Sequence, residues 1–309
     1  MNNDLILHHY PGSPFAEKAR LMLGYKRLAW HSVHIPVIMP KPDLTALTGG
    51  YRRTPVLQIG ADVYCDTALI AQVLEARAPE PTLFPAGQPL APLLAHWADL
   101  TLFWTVIPYT MQPAGLAHVF QGVPPEHLKA FAADRAPFTA SLRRQTAADA
   151  TANLQGHLDA LEAQLADGRA HLFGAAPGIA DFSVAHCGWY VRRGGPLAEI
   201  LAPRRHFSAW LDRMLAIGHG EPKQMKSGEA IERAAAAGHH APCSVAPGLG
   251  FDAGQAVTVT PTDYGMDPVA GALVGLNAGE VVIRRNDERA GTLHVHFPRV
   301  GYQIKKEQT

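Results

Sequence analysis

Arg53-Thr54-Pro55-Val56-Leu57, followed at Asp66-Thr67 by the start of a helical pattern, is the stretch that decides the fold. Pro55 opens an apolar run, Val56, Leu57 and Ile59, that reads as a strand. Gly60-Ala61-Asp62 then turns the chain into a second one, Val63-Tyr64-Cys65. A proline is tolerated at a strand's first residue because its missing N–H need not belong to the ladder. With a cis Thr54-Pro55 bond, the backbone ahead of the strand is free to pair with an extended peptide. Asp66-Thr67 precedes Ala68-Leu69-Ile70-Ala71-Gln72-Val73-Leu74, a helical pattern. At a helix N-terminus a carboxylate can take an ammonium, while a hydroxyl and the free N–H groups take a carboxylate. An edge for peptide backbone beside a pocket for an amino-acid head group points to a small peptide ligand.

The amino-terminal side completes the unit. Leu5-Ile6-Leu7 reads as a short strand, and Tyr10-Pro11-Gly12-Ser13-Pro14 turns it into a helix beginning near Phe15. Ser13 suits the N-cap and Pro14 the first helical position. Residues 30–35 read as the second strand and 36–42 as a loop. The run Tyr10-Pro11-Gly12-Ser13-Pro14-Phe15-Ala16-Glu17-Lys18-Ala19-Arg20, with Thr54-Pro55-Val56-Leu57 and Asp66-Thr67, resembles the amino-terminal domain of soluble glutathione transferases. The resemblance implies that family's thioredoxin-like fold over residues 1–78, in the order strand-helix-strand-helix-strand-strand-helix.

It also implies a chemistry. Glutathione's thiol is largely protonated at neutral pH, and the thiolate is the attacking species. A hydrogen-bond donor at a helix N-terminus favours the anion. Ser13 stands where the family places its Cys or Ser, ahead of Pro-Phe-Ala, and Tyr10 is the second candidate donor. Serine at this position cannot form a mixed disulfide, which argues for conjugation over thiol–disulfide exchange. By the same resemblance Asp66 and Thr67 hold the γ-glutamyl end, the Thr54 backbone the cysteinyl amide, and Lys41 the glycyl carboxylate, with Phe15 part of the same motif. Arg20 and Arg53 read as structural or electrostatic supports.

Composition sets bounds. The chain has 309 residues and 33.3 kDa, with 47% hydrophobic residues, enough for two or three ordered domains. Lys+Arg and Asp+Glu are both 27, so no basic surplus serves nucleic acid or an anionic membrane. Met1-Asn2-Asn3-Asp4 lacks the basic start and apolar core of a secretory signal. The most apolar stretch, 100–111, is cut by Pro108 and is too short to span a bilayer. A cytoplasmic protein is expected. Cys65, Cys187 and Cys243 are odd in number and far apart, which indicates neither a disulfide framework nor a zinc site.

A proline-rich connector over 79–89 closes the first domain. From 90 to about 218 the pattern is helical. Leu154, Leu158, Leu161 and Leu165 form one apolar face. Trp97, Phe103, Trp104 and Tyr109 read as helix packing, and the matching helices of the family also wall the pocket for the electrophile. Gly178-Ile179-Ala180-Asp181 resembles the family's buried-helix motif, with glycine in place of the usual Ser or Thr cap. Beyond 218 the resemblance ends. After a short helix over 229–237 and a loop over 238–254, the period changes to two. Residues 257–260, 269–276, 281–283 and 293–297 read as strands of a small, SH3-like barrel, separable from thiol binding near residue 240. His294 and His296 share a strand face as two metal ligands would, but no third ligand at clear spacing accompanies them. His8 and His9 point to opposite faces and cannot share one metal.

The expected molecule is an α/β thioredoxin-like domain over 1–80, an all-α helical domain over 90–220 and a small all-β, barrel-like domain over 244–309. The expected activity is addition of glutathione thiolate to an apolar small-molecule electrophile, with glutathione as co-substrate and no metal or nucleotide. A homodimer is expected, with no nucleic-acid or membrane partner. The alternatives are a non-catalytic glutathione- or ligand-binding regulator on the same fold, or a glutathione-dependent peroxidase or isomerase.

Overall fold

The structure is a computed structural model describing residues 4–307; Met1-Asn2-Asn3, on which most of the leader reading rests, lie outside it. The first unit runs β1 (Leu5–His9), α1 (Pro14–Tyr25), β2 (Trp30–His34), α2 (Pro42–Thr48), β3 (Val56–Ile59), β4 (Asp62–Cys65) and α3 (Thr67–Arg77). β1 pairs β2 in parallel and β3 antiparallel, and β3 pairs β4 antiparallel. Both sheet faces are covered, which is why Leu5-Ile6-Leu7 shows no polar alternation. Leu5 and Leu7 enter one core with α1, α3 and the helical part, while Ile6 enters a second core with α2.

The helical part runs α4 (Ala91–Trp97), a π-helical stretch (Ala98–Leu102), α5 (Phe103–Thr110), α6 (Pro113–Val119), α7 (Pro125–Phe138), α8 (Ala147–Leu165), α9 (Ile179–Arg192) and α10 (Arg205–Ala216). Leu154, Leu158, Leu161 and Leu165 of α8 are all buried in the first core, as their spacing requires. At the start of α9, Asp181 is fully buried and accepts from the N–H groups of Gly178 and Leu172 and from Trp210 Nε1, each at 2.9 Å. The carboxylate thus satisfies three donors at once. A cap side chain at 178 would meet Gln88 Oε1 and Pro85, so the space for the missing Ser or Thr is already filled.

The strand-rich region after the helices is present, but it is joined differently from the expected free-standing barrel. Two strands were not legible at all: β5 (Pro222–Gln224) and β10 (Tyr302–Lys306). Following α11 (Ser227–Ala235) come β6 (Ala256–Pro261), β7 (Val269–Leu276), β8 (Glu280–Asp287) and β9 (Gly291–Pro298). All described strands belong to one ten-stranded sheet in the order β10-β6-β7-β8-β9-β4-β3-β1-β2-β5. β9 lies parallel to the edge of β4, pairing Asp62 with His294 and Tyr64 with His296. The second core then continues from Ile6, Leu44 and Leu47 through Ile231 of α11 to Val259, Leu273, Val295 and Phe297. The extension therefore covers a sheet edge that would otherwise stand unpaired. Short strands with apolar inner residues look alike whether they close on themselves or add to another sheet, and only tertiary pairing distinguishes the two.

Candidate functional site

The site begins at the carboxyl end of β1. Ser13 is the N-cap of α1, with extended backbone (φ −79°, ψ 123°), and its Oγ accepts from the Ala16 N–H at 3.2 Å. It is buried, 3% exposed, and no described residue accepts its hydroxyl proton. The first-turn N–H groups and the helix dipole favour negative charge at this point. Two residues on, Phe15 packs its ring on Phe103 and His186 at centroid distances of 4.7 and 4.8 Å. Tyr10 caps the turn through its carbonyl, which accepts the Ser13 N–H at 3.2 Å. Arg20 braces the same turn, donating to the Pro11 carbonyl and to Glu17, while a ring nitrogen of His219 lies 2.9 Å from Glu17. That is a support role, as expected.

Across from this turn the Thr54-Pro55 bond is cis and leads into β3. Lys41 caps α2, is 3% exposed, and lies 3.4 Å from Thr54 Oγ1 and 5.8 Å from the centre of the Tyr10 ring. Burial lowers its ammonium to about 8, with Arg135 and Arg52 adding to the effect and Asp134 opposing it. Among the described residues no carboxylate pairs with it. A buried cation next to two polar groups, without a counter-ion, is a place where a ligand carboxylate would be stabilised.

Asp66 is the N-cap of α3 in an unusual backbone conformation (φ 77°), with Oδ1 accepting the Ala68 N–H at 2.9 Å. Thr67 is the first helical residue and is buried. The second Asp66 oxygen accepts from Tyr302 Oη at 3.0 Å, and Tyr302 Oη lies 2.6 Å from Tyr51 Oη. Burial raises both phenols well above their ordinary range, so they remain protonated donors. Arg53 stacks 3.9 Å from the centre of the Tyr264 ring and donates to Asp263 and to the Tyr264 carbonyl. The extension thus reaches Arg53 and the N-terminus of α3. Sequence reasoning missed Tyr264 and Tyr302, because nothing local links them to Arg53 and Asp66, 211 and 236 residues away respectively.

Of the expected site residues, Phe15, Thr54, Asp66 and Thr67 line a cavity of about 510 Å³, whereas Tyr10, Ser13 and Lys41 are not among its lining residues. Pro92, Leu93 and Leu100 of the helical part and Val300 of the extension supply apolar surface to the same cavity. Leu93 and Val300 are each 68% exposed, so the mouth is apolar. Trp97, Phe103, Trp104 and Tyr109 are not among its lining residues and serve packing: Trp97 against His157, Phe103 against Phe15, Trp104 against Tyr264, and Tyr109 through a bond to the Leu197 carbonyl. The cavity also has a charged floor that the sequence did not disclose. Lys18 of α1, completely buried, donates to Asp99 at 2.6 Å, and His186 Nε2 lies 3.1 Å from the other Asp99 oxygen. Burial pushes the Asp99 carboxyl up, but Lys18 and His186 outweigh it and hold the group below its ordinary range. Asp99 sits in the π-helical stretch, whose wider turn sets this side chain between α1 and α9.

His8 and His9 are core residues on opposite faces, bonded to Gln58 and Ser32 at 2.8 Å each and lowered by burial to about 4 and about 3. All three cysteines are free thiols. Among the described residues no helix is long and apolar enough to cross a membrane.

Residues 7–82 match the family model for the glutathione S-transferase N-terminal domain, and residues 144–213 match that for its C-terminal domain. A GST-like protein from Pseudomonas syringae is 43% identical over 99% of this chain and 100% of its own, with a TM-score of 0.82. A glutathione S-transferase from Rhodospirillum rubrum F11 is 21% identical over 69% of this chain and 88% of its own, with a TM-score of 0.53. A glutathione transferase from Phanerochaete chrysosporium is 18% identical over 70% and 98%, with a TM-score of 0.56. The last two are likenesses of fold. No match was found among curated proteins.

Proposed function

We propose, on the premise that this chain belongs to the glutathione S-transferase family, that it binds glutathione in the cavity between the thioredoxin-like unit and the helices and adds the thiolate to an apolar electrophile. The observation that carries this reading is one cavity with two chemically different walls. Thr54, Asp66 and Thr67 offer backbone and head-group contacts on one side, and Pro92, Leu93 and Leu100 offer an apolar surface on the other. In this reading Asp66 takes the γ-glutamyl ammonium, and Thr67 with the α3 N-terminus takes its carboxylate. The Thr54 backbone pairs with the cysteinyl amide, Lys41 holds the glycyl carboxylate, and Phe15 borders the sulfur. Ser13 donates to the sulfur and, with the α1 dipole, favours the thiolate; Tyr10 is the alternative donor. The thiolate then attacks the electrophile by addition or substitution. The protein acts in the cytoplasm and as a homodimer; light scattering showing a 33.3 kDa particle at micromolar concentration would count against the dimer.

The test is calorimetric titration with glutathione, followed by turnover assays on an aryl halide, a hydroperoxide and a mixed disulfide. Binding with aryl-halide turnover is expected. Binding without turnover of any of the three would replace catalysis with a ligand-binding role. Asp66→Ala should weaken glutathione by about 1.5–3 kcal/mol, the range for a hydrogen bond to a charged group. Unchanged affinity in that variant would sink the head-group assignment.

A further inference from the structure

We propose that Asp62, His294 and His296, closed by His240, form a binding site for a zinc-type divalent cation at the seam between β4 and β9, remote from the glutathione chemistry. The sequence offered only His294 and His296, two apart on one strand. The pairing of β4 with β9 supplies the third ligand, placing Asp62 directly opposite His294. The loop after α11 supplies the fourth. Candidate ligand atoms of Asp62, His294 and His296 all lie within 4.8 Å of one another.

The distances around Asp62 Oδ1 carry the inference. His296 Nε2 lies 2.9 Å from it, His240 Nδ1 3.7 Å and His294 Nδ1 3.9 Å. Only the first is a hydrogen-bond length. The other two are too long for hydrogen bonds and exceed the ligand–ligand spacing of a tetrahedral ion by a few tenths of an ångström, a gap that small side-chain shifts close. With metal–ligand bonds of about 2.0–2.2 Å, the corners of a tetrahedron stand roughly 3.3–3.6 Å apart. His240 Nδ1 is buried and has no hydrogen-bond partner, an orphan that a cation would satisfy. Asp62 Oδ2 is already held by the Ala241 N–H at 2.9 Å, which leaves Oδ1 aimed at the three imidazoles.

The surroundings match those of a built metal site. His296 Nδ1 faces Glu280 Oε2 at 3.2 Å, the carboxylate–histidine arrangement that fixes a ligating ring and raises its basicity. Tyr64 packs on the His296 ring at 4.4 Å; His240 stacks on His294 at 3.7 Å with 14° between planes, so the His240 ring has to turn out of this stack to join an ion held by Asp62, His294 and His296. A cavity of about 600 Å³, lined by Asp62, Tyr64 and His240, opens onto the cluster and provides an entry path. Imidazole nitrogens with one carboxylate suit zinc over magnesium or calcium, which prefer all-oxygen sets. Cys243, whose sulfur lies 4.0 Å from His294 Nδ1, adds a soft donor nearby.

The full-length chain, stripped with a chelator and dialysed, would be titrated with zinc chloride and, separately, with magnesium chloride. One equivalent of zinc at micromolar affinity or tighter is expected, with no magnesium heat. Cobalt(II) in place of zinc should give the visible absorption of a tetrahedral nitrogen–oxygen site. His294→Ala should weaken zinc at least tenfold and abolish the rise in melting temperature that zinc gives the unaltered chain. His240→Ala, in the loop after α11, should weaken zinc as well while glutathione titration stays unchanged. Absence of zinc binding at 100 micromolar, or binding that both variants leave unaltered, would overturn the site.

Discussion

In the proposed complex Ser13 and Lys41 each favour negative charge, at opposite ends of the same ligand. In that complex the Ser13 hydroxyl, at a helix N-terminus, would act on the sulfur. One oriented hydrogen bond together with the dipole lowers a thiol by about one to two units, at 1.36 kcal/mol per unit. Ser13→Ala should therefore slow conjugation by roughly ten- to a hundred-fold with little change in glutathione affinity, because the lost bond favours the ionised and reacting forms. The check is thiolate absorbance of the bound complex against pH. A titration unmoved in Ser13→Ala but shifted upward in Tyr10→Phe would give the role to Tyr10. Lys41 would act on the far end. Its folded-state value of about 8 lies below the ordinary 10.5, so burial costs stability while the group is charged, and the fold gains stability as pH rises from about 8 towards 10.5. Ligand affinity runs the other way. A glycyl carboxylate needs the protonated lysine, so S-methylglutathione, which has no free thiol, should bind at full strength below about pH 8 and more weakly above it. Lys41→Gln should remove that pH dependence and cost about 1.5–3 kcal/mol of affinity. An unaltered pH profile in the variant would show that the carboxylate is held elsewhere.

At the scale of elements, the α1 helix is pinned by a crossing of backbone. A Cβ on Gly24 would stand 2.2 Å from the Gly218 carbonyl oxygen and 3.1 Å from His219 Cα. Both are main-chain atoms that cannot swing aside, and the segment 218–221 leads into β5 on the edge of the sheet. Gly156, on the exposed face of α8, meets nothing within 4 Å. The same substitution should thus have opposite signs at the two sites. Gly156→Ala should stabilise by up to about 1 kcal/mol through helix propensity. Gly24→Ala should destabilise by on the order of 1–3 kcal/mol, since overpacking outweighs that gain. Thermal unfolding of both variants measures the contrast, and a stabilising Gly24→Ala would mean that the crossing is loose.

For the whole molecule, the consequence of the ten-stranded sheet is that the extension cannot be removed without cost. A chain ending near residue 240 would lose β6 to β10, bare the edge of β4, and uncover the apolar side shared by α2 and α11. It would also strip Tyr264 and Tyr302 from the cavity and free Arg53 and Asp66 of their partners. The shortened chain should aggregate or unfold without a cooperative transition, the reverse of what the strand pattern alone suggests. Recovery of a soluble, glutathione-binding fragment, by calorimetry and circular dichroism, would show the extension to be an independent unit.

What the sequence by itself determined is what local rules control. A proline before an apolar run, an Asp-Thr ahead of a helical pattern and a Ser-Pro at a helix start each fix nearby backbone, so β3, α3 and α1 were legible, as was the leucine face of α8. Ser13 and Asp66 stand at the helix caps that local sequence predicts, whereas the ligand roles of Lys41, Thr54 and Thr67 came from the family resemblance and remain proposals. The tertiary structure alone decided how distant segments meet. Period-two strands carry no record of their partner, so the parallel seam of β4 and β9 was invisible, and so were Tyr302 on Asp66 and Asp62 beside His294. Nothing local linked Lys18 to Asp99, 81 residues away. Their pairing in the interior arises only when α1 packs against α9 and the π-helical stretch, since a buried charge requires a partner and the chain does not mark which one it will find.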